Sequence, residues 1–378
     1  EFALEKWEPG NEQAAYFEDN TLFSVTKALF IISKETNQSI VSFNLPDDWR
    51  VTTPWDSVAE NSNKFLARNA TELINNSVVV GKQGVYSFKQ DNFTYTLAQI
   101  GTMKESEKLM AEVMKKQLNA YKNLFGGLPK TNYLQVMFKG PEDGEAYTNS
   151  SAFTTSLKPA RHNIILWGNT LGHELFHKWN GINNLIAAQD RPTSAWFAEG
   201  FTEYYSNVTL LRTGLIDEAT FIKKMEKHLG MYLFYNWSRA FKDSIKDSGK
   251  RKGFNRPGVY SGGWSAAFAL DILIRDKTQN RRSLDDFMKR MYQEFGVSDK
   301  KYAFKDIVRI ASDVAREDLN SFFKDYVEGK KRLPIAESLK QSGFEAGLKS
   351  YAGEVYLWKN PEATEFEKTI RQAFLFGK

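Results

Sequence analysis

The sequence predicts an α+β protein in which strands dominate the N-terminal part and helices the C-terminal part. Three observations carry this. In the first hundred residues, runs such as "SIVSFNLPDDWRV" and "YSFKQDNFTYTLAQIG" alternate apolar and polar residues between turn formers, the period-two signature of half-buried strands. The pattern then switches: Leu109, Met110, Val113, Met114, Leu118, Tyr121 and Leu124 recur at helical spacing. From about residue 215 onward "GWSAAFALDILIRDKT", "SLDDFMKRMYQEFG" and "DLNSFFKDYVEG" keep that helical period. These shifts divide the chain into a β-domain over 1–102, a mixed core over 103–214 and a helical region over 215–378.

Within the mixed core, Gly126 and Gly127 end the first helix. Two strand-like runs follow, "NYLQVMF" and "RHNIILWG", the second a candidate edge strand. A helix is expected from Thr170, a suitable N-cap, to about Gly181. Another is expected after Pro192, with Ser194 as cap, through "WFAEGFTEYYSNVTLLRTG". "KDSIKDSGKRKGFNRPG" is polar, glycine-containing and basic, and reads as an exposed loop. No internal repeat is present.

Composition narrows the function classes. Of 378 residues 42% are hydrophobic and 26% charged, an ordinary globular mix, and the 14% aromatic content suits large cores. The net charge of +5 is spread along the chain and gives no basic face for nucleic acid. No run approaches the length of a membrane span. There is no cysteine, so a metal would have to be held by His, Asp or Glu. The start "EFALEKWEPG" has neither Met nor an apolar signal core and reads as a trimmed or processed end. A bacterial periplasmic or secreted location with the signal removed is the expectation. A cytosolic protein could share this composition.

"LGHELFHKWNG", Leu171 to Gly181, holds two of the four histidines. On a helix, residues i and i+4 lie on one face about 40° apart, so His173 and His177 can reach one ion. Glu174, beside them, is placed to hold a water there. This is the His-Glu-x-x-His zinc signature, with the glutamate as general base. Catalytic zinc sites usually take three protein ligands and leave one position open. Without cysteine, and with His162 and His228 outside any motif, the third ligand should be a carboxylate. "WFAEGFTEYY" offers Glu199 on the second helix. Glu203, one turn later, can accept the second N–H of a ligand histidine and fix its tautomer.

"HELFHKW" followed by "EGFTEYY" resembles the gluzincin zinc metallopeptidases, which are related to aminopeptidase N-like and thermolysin-like catalytic domains. Within them it most resembles the glycyl aminopeptidase family, whose Trp-Asn pair is matched by Trp179 and Asn180. "NLPDDW", "ATELINNSVVVGK", "YKNLFGGLP", "GVYSGGWSAAFALDILIRDKT" and "LPIAESLKQSGFE" extend the likeness over most of the chain. The resemblance implies an N-terminal β-domain, a thermolysin-like catalytic core and one Zn2+ on His173, His177 and Glu199. It implies a peptide or protein substrate, with Tyr260 donating to the oxyanion. It also implies an aminopeptidase favouring small N-terminal residues. A broader endopeptidase and a non-catalytic peptidase-like binding protein are the alternatives. Three departures bear on this. The family's Gly-Gly-x-Glu-His stretch is replaced by "PEDGEAYTNSS", which leaves Glu145 as the nearest acidic candidate for a substrate amine. "GINNLIAAQD" replaces a basic run. The sequence ends without the PDZ module often found in the family.

Overall fold

The alternating N-terminal runs do pair as sheets. The computed structural model describes residues 15–377 apart from 61, 102–106, 183 and 189–190. The chain forms two compact units, one of residues 1–122 and 127–178, the other of 123–126 and 179–378.

In the first unit, β1 (Ala15–Glu18) and β2 (Thr21–Val25) form a hairpin. Beyond them come β3 (Ser39–Ser42), β4 (Arg50–Thr52), β5 (Asp56–Ser57), β6 (Lys64–Ala67), the short helix α1 (Ala70–Ile74) and β7 (Ser77–Gly81). One sheet has the order β1-β2-β7-β4 and a second the order β3-β6-β5. The hairpin β8 (Gly84–Gln90) and β9 (Phe93–Gln99) joins β10 (Thr131–Lys139), β11 (Asp143–Ala146) and β12 (Ser150–Thr155) in a five-stranded sheet ordered β11-β12-β10-β9-β8. Its middle pairs are parallel and its two edge strands antiparallel. Phe23, Val25 and Val79 share a core with Ala98, Ile100, Leu134, Val136, Phe138 and Ala152. The helix α2 (Glu107–Phe125) stands where the apolar spacing put it, with Met110, Val113, Met114 and Leu118 fully buried.

Two expectations for the next segment are corrected. "RHNIILWG" is not a strand: helix α3 runs Ile164–Phe176, preceded by a tight turn at Arg161–Asn163. The Asn163 side chain fixes this start, accepting from Ala160 N at 2.8 Å and from Trp167 Nε1 at 2.9 Å. Thr170 therefore lies inside the helix and is not its cap.

In the second unit, α4 (Arg191–Ala195) continues through a widened π-helical turn, Trp196–Phe201, into α5 (Thr202–Arg212). Ser194 lies inside α4 and is not a cap; its hydroxyl donates to Arg191 O. Helix α6 (Glu218–Trp237) is capped by Asp217, which accepts from Thr220 N. A 3-10 segment (Lys246–Arg251) and a second π turn (Pro257–Gly262) lead into α7 (Gly263–Lys277). Ser248, Gly249 and Asn255 are buried, so the basic stretch is not simply a solvated loop. Then come α8 (Leu284–Met291), α9 (Phe304–Ala315), α10 (Asn320–Phe322), α11 (Ile335–Gln341) and α12 (Glu365–Phe376). The helical expectation fails at one place, the hairpin β13 (Phe344–Lys349) and β14 (Glu354–Lys359). No helix among the described residues is long and apolar enough to cross a membrane.

Candidate metal and catalytic site

Helix α3 carries the histidines, and side chains of neighbouring elements hold its carbonyls. From α2, Gln117 Nε2 donates to Gly168 O at 2.7 Å and Tyr121 OH to Gly172 O at 3.0 Å. From β10, Gln135 Nε2 donates to Leu171 O and Tyr133 OH to Glu174 O, both at 3.0 Å. Four buried donors thus fix the rotation of the turn that bears the motif. His173, Glu174 and His177 are all buried. The two imidazole rings lie 4.9 Å apart with their planes at 78°.

The edge strand β11 lies beside Glu174. A Cβ built on Gly144 would stand 2.5 Å from Glu174 Oε1, so only glycine leaves the carboxylate its place. Successive residues of a strand face opposite sides. Glu145, half-buried, is therefore turned to the face opposite Gly144. Immediately after the motif, Lys178 is buried and donates to Thr148 O at 3.1 Å and to Asn149 Oδ1. Burial lowers its pKa to about 8, with Glu72 opposing the shift.

Glu199 sits in the first π turn. Such a turn spreads the backbone and loosens its carbonyls, and is frequent at functional positions. Asn180 supplies the missing donor: its Nδ2 lies 3.2 Å from Phe197 O and 3.3 Å from Ala198 O. The Glu199 carboxylate accepts from Lys252 Nζ at 2.7 Å. Tyr260 lies in the second π turn, half-buried. Lys252 Nζ and Arg256 Cζ stand 5.6 and 5.0 Å from its ring centre. The segments bearing Glu199 and Tyr260 meet through bare backbone. A Cβ on Gly200 would come within 2.3 Å of Gly263 Cα, and one on Gly263 within 2.2 Å of Trp196 O.

Glu203, buried on α5, has partners that the sequence did not indicate. Its Oε1 lies 3.2 Å from both His228 Nε2 and Lys224 Nζ. His228 Nδ1 is 3.2 Å from Ser261 Oγ, and the imidazole stacks on Trp264 at 5.1 Å. Burial, foremost, lowers the His228 pKa; Glu203 opposes the shift and Lys224 adds to it. His228 thus links Glu203 to the residue after Tyr260. Its place on α6, remote in sequence from both, left no motif by which to find it.

One nitrogen each of His173 and His177 and one oxygen of Glu199 all lie within 4.8 Å of one another. Two imidazoles and a carboxylate, without thiolate, form the donor set of a catalytic zinc site. An ammonium group already on the Glu199 carboxylate marks that position as one that attracts a cation.

The M61 glycyl aminopeptidase family matches the chain over residues 167–257, a stretch holding both histidines, Glu174, Glu199, Glu203 and Lys252. No curated protein matches. Among 138 matching solved chains is an aminopeptidase N family protein from Idiomarina loihiensis, 20% identical, with a TM-score of 0.76. The match covers 88% of this chain and 63% of that one, and at this identity it speaks for the fold. The chain is thus similar to the M61 glycyl aminopeptidase family over the stretch around the histidines, and it shares with the aminopeptidase N family protein a fold of an N-terminal sheet region followed by a largely helical C-terminal region.

Proposed function

We propose that the protein is a zinc-dependent peptidase, an aminopeptidase that favours small N-terminal residues. The observation that carries this reading is the convergence of His173, His177 and Glu199 within 4.8 Å, with Glu174 beside them. Zinc bound there would supply an acidified water and a Lewis acid for the scissile carbonyl. Glu174 takes the proton from the attacking water at its carboxylate and later delivers it to the leaving amine. Its buried position, against Gly144, keeps that carboxylate oriented. Tyr260 donates its O–H to the oxyanion as charge develops there. Glu203 and His228 hold the surrounding helices in register through Ser261. The substrate backbone pairs by strand addition with β11, the sheet edge nearest Glu174, in place of the segment that turned out to be α3.

The orientation of Glu145 supports a second reading. A protonated substrate amine in a dry cleft needs a carboxylate partner, since an unpaired buried charge is costly. β11 turns Glu145 to its other face, and this favours an endopeptidase over an aminopeptidase anchored by that residue. A binding protein without turnover is the third possibility.

The test is turnover of a peptide library with free and acetylated N-termini, by wild type and by Glu174→Gln. Cleavage confined to free N-termini supports the aminopeptidase, and internal cleavage of acetylated peptides the endopeptidase. Zinc-loaded wild type without any turnover would sink both.

A further inference from the structure

Exposed rings and unpaired cations share one side of the second unit. Five aromatic side chains follow one another there. Between ring centres, Tyr351 lies 6.4 Å from Trp237, Trp237 6.2 Å from Phe234, Phe234 6.4 Å from Phe241 and Phe241 5.4 Å from Phe254. Trp237 is 50% exposed, Phe254 54% and Tyr351 61%. Single apolar residues on a surface are ordinary, whereas a contiguous run of them marks a place of contact. Trp237 also lines a cavity of about 600 Å³ together with Tyr235, Tyr326, Arg239, Lys242 and Lys330.

Arg239, Lys242 and Lys330 are exposed, and none has a carboxylate in ion-pair reach among the described residues. The carboxylate on the cavity wall, Asp243, is taken: Arg251 Nη2 stands 2.8 Å and Asn255 Nδ2 2.6 Å from its Oδ2. Lys330 attracts it only from further off. On either side of Tyr326 in the chain, Asp325 and Glu328 are taken as well, by Lys331 at 3.3 Å and Lys246 at 2.7 Å. The cavity therefore keeps a surplus of positive charge beside its rings. The dipole of α6 favours a cation after its C-terminus. It gives no reason for three, or for exposed rings among them.

The track of rings ends at the turn of Tyr260. Phe254 precedes Pro257, the first residue of that turn, by three residues. Tyr235 packs on the turn from the cavity side, since a Cβ on Gly258 would stand 2.6 Å from Tyr235 Cζ. Aromatic residues and arginine are enriched where proteins meet other chains, and a surplus of one charge selects a partner of the other. We infer that this track docks an acidic, apolar-rich segment of a polypeptide substrate, away from the residues at the scissile bond. The inference rests on the peptidase reading, which makes the occupant a polypeptide, and it specifies the substrate class. Rings among cations also suit a single-stranded nucleic acid. Continuity with the turn of Tyr260 favours the polypeptide.

The first measurement is calorimetric binding to zinc-loaded Glu174→Gln protein. One probe is a peptide of Glu, Phe and Gly, and a second has Gln for every Glu; both have acetylated N-termini and amidated C-termini. The acidic peptide should bind about fivefold tighter or more, the scale of a few exposed ion pairs. Added salt should close the gap. Lys242→Glu with Lys330→Glu should abolish the preference, and Lys242→Arg with Lys330→Arg should keep it. Trp237→Ala should weaken both peptides alike, by about fivefold, and Trp237→Phe should weaken them less. The second measurement is wild-type turnover of a short peptide that the library shows to be cut, extended at its C-terminus by the acidic or the amide tail. The acidic tail should lower KM and leave kcat nearly unchanged. The double charge reversal should cancel that gain and leave kcat/KM for the unextended peptide as in wild type.

Equal binding of the two peptides, or a preference that survives the double charge reversal, overturns the inference. Oligothymidylate bound more tightly than the acidic peptide at the same salt also overturns it, and makes the track a nucleic-acid surface. Binding of the acidic peptide without any effect of its tail on KM overturns the substrate role. Zinc-loaded wild type that cuts nothing sinks the peptidase reading, and the binding measurement then still decides whether the track takes an acidic polypeptide.

Discussion

Gly144 packs directly against the Glu174 carboxylate, with room for a hydrogen but not for a methyl group. Gly144→Ala should therefore push the proposed base out of place while β11 and the sheet persist. A displacement of about 1 Å can cost a reaction about a hundredfold. We expect kcat/KM to fall by about that factor, with zinc content and the melting transition close to wild type. Full activity in Gly144→Ala would show that Glu174 tolerates movement and is not the base.

The ligand set makes a sharper claim. Ala at His173, His177 or Glu199 should each leave less than one zinc per chain after dialysis, measured by metal analysis. Three protein ligands are the minimum of a catalytic site, and two seldom hold the ion. Stoichiometric zinc in Glu199→Ala would remove that residue from the set.

Tyr260→Phe should keep zinc and fold but lose about a hundredfold in kcat, the scale of one missing oxyanion donor. The loss should appear in kcat more than in KM, because the bond is made to charge that develops during reaction. A loss confined to KM would recast Tyr260 as a binding residue.

Lys178 gives a signature in the pH dependence of stability. Its pKa is about 8 in the folded protein and near 10.5 in an unfolded chain. Between these values the unfolded state holds more protons, so stability rises with pH across the window. The gain approaches about 3 kcal/mol at its upper end, an order-of-magnitude figure for a buried amine. Buried tyrosines such as Tyr133, held above their usual range by burial, act in the opposite direction above pH 10. Urea unfolding of metal-free protein between pH 7.5 and 10 should show the rise, and Lys178→Met should flatten it. Parallel curves for the two proteins would mean that the amine is better solvated than its burial indicates.

The sequence revealed those parts of the fold and site whose signals are local. The α2 apolar stripe and the β8–β9 alternation each lie within one element, and His173 and His177 advertise their spacing. The start of α3 was hidden because "NIILW" is too short an apolar run to show a period. The hairpin of β13 and β14 was missed although Val355 and Leu357 alternate with the exposed Tyr356 and Trp358. Its first strand, Phe344–Lys349, alternates as well, but Phe344 alone is buried there and Leu348 is exposed, so the run is short and weakly apolar. The π turns at Glu199 and Tyr260 depend on donors such as Asn180 that arrive from elsewhere in the chain. His228 and Lys252 gain their roles only from tertiary neighbours.

The bare contact of Gly200 with Gly263 works as a caliper. Backbone meets backbone there, so the offset between the turn of Glu199 and the turn of Tyr260 is machined into the main chain and has no adjustable screw. Changes of side chain around it can reshape the surroundings of the site but cannot retune that offset. Laboratory evolution toward bulkier substrates should therefore collect its substitutions in the side chains around the site, and should leave both glycines untouched.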